Sequence, residues 1–260
     1  LLIQVDLKLQ SVEQATLLVT VLMLAYYAPS YPMGILADRV SRKKLLGFGL
    51  AINGLGFVGL ASAPNYLSAL ACVSLAGVGG SFYHPAATAL VARLCPVGTG
   101  KALGLVAIGA SAGFFVSPLY VGWRAAATGS WRAPIFELGL LGIVMAAVFL
   151  WLADDSPSEQ AAPNRTVPPD KMFPSPALWL FFIGAALALS LRDFAGGSMG
   201  TLGSLFLQQA HGYGLEATGL ALSSIFLVGV VSNPLFGGLS DRGRIRWTCF
   251  VLVAAALMVL

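Results

Sequence analysis

Charged residues are scarce in this 260-residue sequence, where Asp, Glu, Lys and Arg together make up 10% of the chain. Ordinary soluble domains carry roughly 25%. Apolar residues account for 57%, and the mean hydropathy is +0.83. A water-soluble globule is therefore excluded. The surplus of 15 Lys and Arg over 11 Asp and Glu gives a net charge of only +4, which does not by itself indicate nucleic-acid binding.

Cysteine and histidine are also rare. The three cysteines, Cys72, Cys95 and Cys249, are an odd number at wide spacing, so neither a disulfide framework nor a zinc-binding spacing is present. The sequence has no HExxH or Walker loop and no paired His ligands. It therefore supports neither an enzyme nor an ATP-driven pump, and we expect no cofactor and no metal.

Long apolar runs are abundant instead, and roughly 20 residues suffice to cross a hydrocarbon core. These runs predict an all-α polytopic membrane helix bundle. A further run, 247–260, has only 14 residues. Because residue 1 is Leu and no signal peptide is evident, we expect native sequence to be lacking at both ends. The seven predicted spans are 13–36, 45–63, 66–92, 102–123, 133–153, 177–208 and 216–238.

The basic residues predict the orientation of the bundle, because positive loops face the cytoplasm. The loops at 37–44, 93–101, 154–176 and 239–246 fall on one side and hold 11 of the 15 basic residues. We predict that this side is cytoplasmic in a multi-pass protein of the inner or plasma membrane. The basic residues of these loops are Arg39, Arg42, Lys43, Lys44, Arg93, Lys101, Arg165, Lys171, Arg242, Arg244 and Arg246, against Lys8, Arg124 and Arg132 on the other side.

Residues 154–176 interrupt the apolar pattern with six prolines and six charges. Such a segment cannot bury enough surface to fold and predicts a flexible cytoplasmic linker. We therefore divide the chain into an N-terminal helical half (1–153), this linker, and the start of a C-terminal half (177–260).

A short motif occurs twice, on either side of this linker. Residues 34–43 are GILADRVSRK, and residues 237–246 are GGLSDRGRIR. The copies share Gly, Leu, Asp and Arg at matching positions, and each follows an apolar span. This spacing indicates two parallel helical halves.

The doubled motif resembles the signature loop of the major facilitator superfamily of secondary transporters. On that resemblance the seven spans correspond to helices two to eight of twelve, and 247–260 begins the ninth. The implied gating-loop residues are Gly34, Asp38, Arg39, Arg42, Gly237, Asp241 and Arg242.

Elementary chemistry suggests how this motif works. Gly34 would allow neighbouring backbones to approach closely. Asp38 can pair with Arg39 or Arg42, or lie at the positive N-terminus of another helix. The alternative is that the basic residues only anchor the topology, which is the favoured interpretation for Lys43 and Lys44.

Two further strings resemble members of this superfamily. Gly104, Gly113, Pro118 and Gly122 follow the spacing of the antiporter motif in the fifth helix, although plain tight packing explains the same small residues. The string FYHPAA at 82–87 is similar to fosmidomycin-resistance-type exporters. The arginine that many proton-coupled members carry in the fourth helix is replaced by Val73, so coupling through that arginine is not expected.

Ionisable groups at membrane depth usually face a cavity or a partner. Arg192 and Asp193 lie near the middle of the span 177–208, the seventh helix on this resemblance, where Gly196 and Gly197 predict a local break. Arg192 can bind a phosphonate, phosphate or carboxylate, or belong to a structural ion pair. His84, next to Tyr83, suits proton coupling, or is a neutral ring bonded to a carbonyl that Pro85 frees.

We therefore expect a secondary active transporter that exports a small anionic or amphiphilic compound against protons by alternating access. Arg192, Asp193, His84, Tyr83 and Glu137 are the candidates for the substrate and proton pathway, although an interfacial charge is the favoured interpretation of Glu137. The partners of the protein would be the lipid bilayer, a small-molecule substrate and protons, with no nucleic acid, and we expect a monomer. An importer of organic anions or sugar phosphates, a membrane-embedded enzyme and a non-transporting remnant remain alternatives.

Overall fold

A computed structural model describes residues 2–153 and 175–242 of the chain. Within these ranges every regular element is an α-helix. Most of the predicted linker and the whole run 247–260 lie outside the described residues. The helices are α1 (Leu2–Asp6), α2 (Val12–Tyr27), α3 (Ser30–Ala37), α4 (Arg42–Ala61), α5 (Tyr66–Ser81), α6 (Tyr83–Leu94), α7 (Thr99–Thr128), α8 (Arg132–Leu152), α9 (Pro176–Gln209) and α10 (Leu215–Asp241).

Six stretches of the described residues are long and apolar enough to cross a membrane. They coincide with six of the seven predicted spans, and the 34-residue helix α9 covers the remaining one, 177–208. The predicted all-α polytopic membrane bundle is confirmed. The six stretches are Val12–Ala37, Arg42–Ala61, Tyr66–Leu94, Thr99–Thr128, Arg132–Leu152 and Leu215–Leu239.

The chain divides into two compact units. The larger unit comprises Leu1–Asp155 and Gly214–Thr248 and contains α1 to α8 together with α10. The smaller unit comprises Ser156–Tyr213 and Cys249–Leu260, and its described part is α9. The expected division into 1–153, linker and 177–260 stays a prediction.

Two of the spans are interrupted, at positions that the apolar pattern did not reveal. The first span breaks at Ala28 and Pro29, between α2 and α3, and the third breaks at Phe82, between α5 and α6. Proline explains the first break, because it has no amide hydrogen to continue the helix. In α6, Pro85 occupies the first turn, where a missing amide costs little. Since α2 packs on α5 and α3 on α6, the two breaks lie side by side.

The break that Gly196 and Gly197 were expected to make is absent, so this prediction was wrong. The helix α9 is continuous from Pro176 to Gln209. Glycine disfavours a helix by only about 1 kcal/mol per residue. In an apolar environment an unpaired backbone amide or carbonyl is disfavoured by several kcal/mol, so the helical hydrogen bonds persist through both glycines.

The helices α7 and α10 run antiparallel and approach each other backbone to backbone. A Cβ atom added at Gly104 would lie 2.6 Å from the Asn233 carbonyl oxygen, and one added at Gly122 would lie 2.6 Å from the Leu215 oxygen. Gly100 and Gly237 are in equally direct contact. Small residues therefore line this interface along its whole length, as van der Waals packing of helices in lipid requires.

The helices α4 and α8 form a second glycine-lined pair. A Cβ atom at Gly54 would lie 2.7 Å from the Gly139 carbonyl oxygen, and one at Gly139 would lie 2.9 Å from the Gly54 oxygen. On its other side α4 packs on α5, where Gly56 meets the backbone of Ala76. Contacts between α7 and α8 are sparse by comparison, so α7 packs mainly on α10 and α8 mainly on α4.

We predict that Gly122→Ala destabilises the protein by about 1–3 kcal/mol, because the new methyl group meets a backbone oxygen that cannot move aside. The matched control is Gly113→Ala in the same helix, where a Cβ atom would find no described atom within 4 Å. The measurement is the temperature at which detergent-purified protein loses half of its monodisperse elution peak. Equal midpoints for the two variants would contradict the packing argument.

Candidate functional site

The carboxylate of Asp241, at the end of α10, binds the start of α7. Its Oδ1 accepts a hydrogen bond from the Gly100 amide at 2.8 Å, and its Oδ2 accepts one from the Lys101 amide at 2.7 Å. The N-cap residue of α7 is Gly98, which has φ +79° and no side chain to cap the helix. Asp241 therefore supplies the cap from a different helix, at the positive end of the α7 dipole.

The matching aspartate of the first motif copy is placed differently. Asp38 is the C-cap residue of α3, its side chain is 76% exposed, and its Oδ1 lies 3.7 Å from Nη2 of Arg42. In this copy the arginine is the buried member, since the Arg42 side chain is 10% exposed. Arg39 is exposed. The close backbone approach expected at Gly34 does not occur there, since a Cβ atom at Gly34 would lie an ordinary 3.7 Å from Pro85. It occurs at the matching glycine of the second copy, Gly237, which meets the backbone of Gly100.

Asp38 and Asp241 lie at the same end of the larger unit. Asp38 lies just before the start of α4. The opposite end of α4 is contacted by Arg132, which begins α8 shortly after the end of α7. Asp241 lies at the near end of α7. We call this end the motif end and the opposite one the Trp131 end. Two copies of the motif on one face of the bundle agree with the predicted topology, whereas the side of the membrane they face stays a prediction.

A cluster of rings surrounds the two adjacent helix breaks. The ring centroids of Tyr26 and His84 are 5.7 Å apart, and those of Tyr83 and His84 are 5.4 Å apart, both edge to face. Tyr27 joins the cluster through Tyr26 at 5.1 Å. His84 and Tyr83 are exposed to the surroundings of the unit, whereas Tyr26 is half-buried. The cluster thus combines an imidazole with phenols that can donate hydrogen bonds.

Glu137 takes part in a polar cluster that joins α7 to α8. Arg124 donates to Oε1 from Nη2 at 2.7 Å and from Nε at 3.0 Å, and the Tyr120 hydroxyl donates to Oε2. The Arg124 and Glu137 side chains are each 34% exposed. Sequence reasoning identified Glu137 alone. Tyr120 and Arg124 are four residues apart, which places both on one face of α7, and this spacing could have indicated that they share a partner.

Arg132 holds the Trp131 end of the unit together. Its guanidinium donates to the Asp6 carboxylate at 2.7 Å and to the carbonyl oxygens of Ala61 and Ala63 at 2.9 Å each. The Trp131 indole also donates to Asp6, at 3.0 Å. The carbonyls at the end of α4 are therefore satisfied by a cation, as the helix dipole favours.

Polar residues inside the spans supply further links that the sequence reasoning missed. The Asn233 side chain donates to the Ser111 hydroxyl at 2.9 Å, midway along the α7 and α10 interface. The Asn53 side chain donates to the Ala76 carbonyl at 2.8 Å and links α4 to α5. An asparagine within an apolar run was the visible signal, because an amide at membrane depth needs a partner.

The remaining predicted site residues divide into three groups. Arg192 and Asp193 lie at the middle of α9, and the structure describes the helix there but not these side chains. In the antiporter-like motif, Gly104, Pro118 and Gly122 contact α10, whereas Gly113 does not. Val73 is buried in a core with Leu18, Leu60 and Trp131. Among the described residues, no group of three His, Cys, Asp or Glu side chains is placed to hold a metal ion.

Comparison with known proteins agrees with this membrane-transport architecture. Residues 2–260 match the sequence profile of the Major Facilitator Superfamily, and the chain belongs to that family of transporters. It is 28% identical over 229 residues to a protein named multi-drug resistance efflux pump PmrA from Streptococcus pneumoniae strains TIGR4 and R6, an alignment that covers 86% of the chain and 56% of the pump.

A second relative is an uncharacterised protein named as MFS-type transporter YfnC, from Bacillus subtilis. It is 28% identical over 123 residues, which is 46% of this chain and 30% of that protein. The chain thus spans about a third to a half of the curated relatives that it matches.

We predict that Asp241→Ala exposes the first turn of α7, because two charge-assisted hydrogen bonds of about 1.5–3 kcal/mol each are lost. The measurement is hydrogen–deuterium exchange of the peptide covering residues 96–104, which should exchange about tenfold faster or more. Asp38→Ala removes the matching carboxylate elsewhere and should leave this peptide unchanged. Unaltered protection in Asp241→Ala would show that the carboxylate does not cap α7.

Proposed function

We propose that the protein is a secondary active transporter that exports a small anionic or amphiphilic compound in exchange for protons, by alternating access. The observation that carries this proposal is the Asp241 carboxylate on the N-terminus of α7. It joins a family signature motif to a second helix by polar contacts that can be broken and re-formed. The relation to a protein named as an efflux pump supports the outward direction.

In this proposal the motif end is cytoplasmic and carries the gate. Eleven basic residues on its side of the membrane support that orientation, since positive loops stay inside. Asp241 with Arg242 closes one part of the gate against α7, and Asp38 with Arg39 belongs to the other part. Opening towards the cytoplasm requires the Asp241 contact to be released.

The substrate contact is assigned to Arg192. A lone arginine in the middle of an apolar span is unfavourable by about 2.5–3.5 kcal/mol unless it meets water or an anion. Its guanidinium matches phosphonate, phosphate and carboxylate groups in a bidentate manner. Asp193 and His84 are assigned to proton transfer, and Tyr83 to the wall beside His84. The exposure of His84 at two adjacent helix breaks supports a position that water can reach.

We predict that cells producing the protein survive higher doses of an exported compound and that Arg192→Ala abolishes this protection. The screen should include fosmidomycin, an anionic phosphonate, and ethidium, an amphiphile. Arg165→Ala, in the predicted linker, is the matched control and should protect like the wild type. Equal protection by Arg192→Ala would remove this residue from the substrate path.

The direction of transport is tested in inverted membrane vesicles, whose interior corresponds to the outside of the cell. We expect an acid interior to drive uptake of the exported probe, because protons leave the vesicle as the probe enters. An importer of organic anions or sugar phosphates would give the opposite response, with an acid interior failing to drive uptake.

A further inference from the structure

Four aromatic rings, those of Tyr26, Tyr27, Tyr83 and His84, form one continuous surface, which we call the ring cluster. Three pairs of these rings meet edge to face, with centroids 5.1–5.7 Å apart and interplanar angles of 65–85°. Tyr27 is 52% exposed and Tyr83 is 42% exposed. Rings set steeply to one another present both faces and edges to a molecule beside them, and both arrangements are favourable for a flat aromatic group.

The ring cluster is held in place by the helices that carry it. A Cβ atom at Gly80 would lie 2.5 Å from the Tyr26 ring, so the ring rests on α5 where the chain has no side chain. On the other side of the break the Ser30 hydroxyl donates to the Tyr26 carbonyl oxygen at 3.0 Å. The rings thus stand on packed helices, and a surface of this kind binds a ligand without first losing much side-chain freedom.

The polar atoms of the ring cluster have no protein partner in the part of the chain that the structure describes. No other described residue makes a hydrogen bond to the three phenol hydroxyls or to the imidazole. Tyr26 and Tyr27 lie near the middle of the span Val12–Ala37, where lipid chains offer no hydrogen bonds. Polar side chains at this depth face a cavity, so we assign this surface to water and to a ligand rather than to lipid.

The charge around the ring cluster selects the ligand. The helices α2, α3, α5 and α6 together carry two charged residues, Glu13 and Arg93. Glu13 precedes Tyr26 by about 20 Å along α2, and Arg93 follows His84 by about 13 Å along α6. The cations of α4, at residues 42–44, all lie in its first turn. The ring faces are electron-rich and attract cations, whereas an anion finds no cationic partner beside them.

We propose that the ring cluster binds planar aromatic cations, and that these are the amphiphilic compounds which the protein exports. The flat cation lies against the exposed rings of Tyr27 and Tyr83, and Gly80 is a positioning residue that gives the Tyr26 ring its place. This proposal rests on the proposed export, because it names the class of amphiphile that is carried.

The test measures binding, which needs no proton gradient. Detergent-purified protein is dialysed to equilibrium against labelled ethidium, a planar aromatic cation, and against phenanthridine, the corresponding ring system without the fixed charge. We expect the wild type to bind ethidium several-fold more tightly than phenanthridine. No binding of ethidium, or equal affinity for the two compounds, would overturn the proposal.

The variants separate the aromatic face from apolar volume. Tyr83→Leu keeps an apolar side chain and removes the ring, and we expect it to bind ethidium about threefold to thirtyfold more weakly. The conservative variant Tyr83→Phe restores the ring and should regain most of this affinity. Trp123→Leu is the matched control, because it removes an equally exposed ring, 54% exposed, from α7. It should bind ethidium like the wild type.

Equal affinity of Tyr83→Leu and Trp123→Leu for ethidium would show that the ring cluster does not bind the cation. If Tyr83→Leu does not elute as a monodisperse protein, Tyr27→Leu at the other end of the ring cluster replaces it. This second variant should weaken ethidium binding in the same range, and unchanged binding would equally overturn the proposal.

Failure of the proposed function gives a different pattern of results. If ethidium binds as described but an acid interior drives no uptake into inverted vesicles, then proton-driven export is wrong and the binding site stands. If the vesicles take up ethidium but Tyr83→Leu binds it as tightly as the wild type, then export stands and the ring cluster is not its binding site.

Discussion

The larger unit depends on one interaction, in which the Asp241 carboxylate of α10 binds the N-terminus of α7. The first amides of α7 have no side-chain cap of their own because Gly98 precedes them, and Asp241 binds two of them. This contact fixes the register of α10 along α7. Once that register is fixed, Gly104 must face Asn233 and Gly122 must face Leu215, so small residues are required at those two positions.

The two copies of the motif show how one sequence pattern serves two environments. Asp241 lies next to the free amides of α7, and its carboxylate binds them. Asp38 faces outward beside Arg42, whose side chain is the buried one. Both copies place a carboxylate near a cation or a helix N-terminus, and the neighbouring helix decides which is used. Sequence alone allowed both arrangements for Asp38.

Apolar run length was sufficient to predict the spans, because crossing lipid imposes a minimum length on any helix. It did not predict the breaks at Ala28 and Phe82, since an apolar run looks the same whether its hydrogen bonds are continuous or interrupted. Gly196 and Gly197 do not break α9, because a lipid environment preserves helical hydrogen bonds. The partners of Glu137 come from α7, so only the folded arrangement brings Arg124 and Tyr120 to it.

How closely two helices are joined follows from how their interface is made. Lipid chains are as apolar as leucine, so helices associate in a membrane through close packing and a few polar bonds. Glycine-lined contacts join α7 to α10 and α4 to α8, and these contacts are lost if the backbones separate by even a small distance. The pair of Arg124 and Glu137 joins the two groups by long side chains instead. The pairing of Arg124 with Glu137 therefore holds α7 against α8 where backbone contacts between the two helices are few.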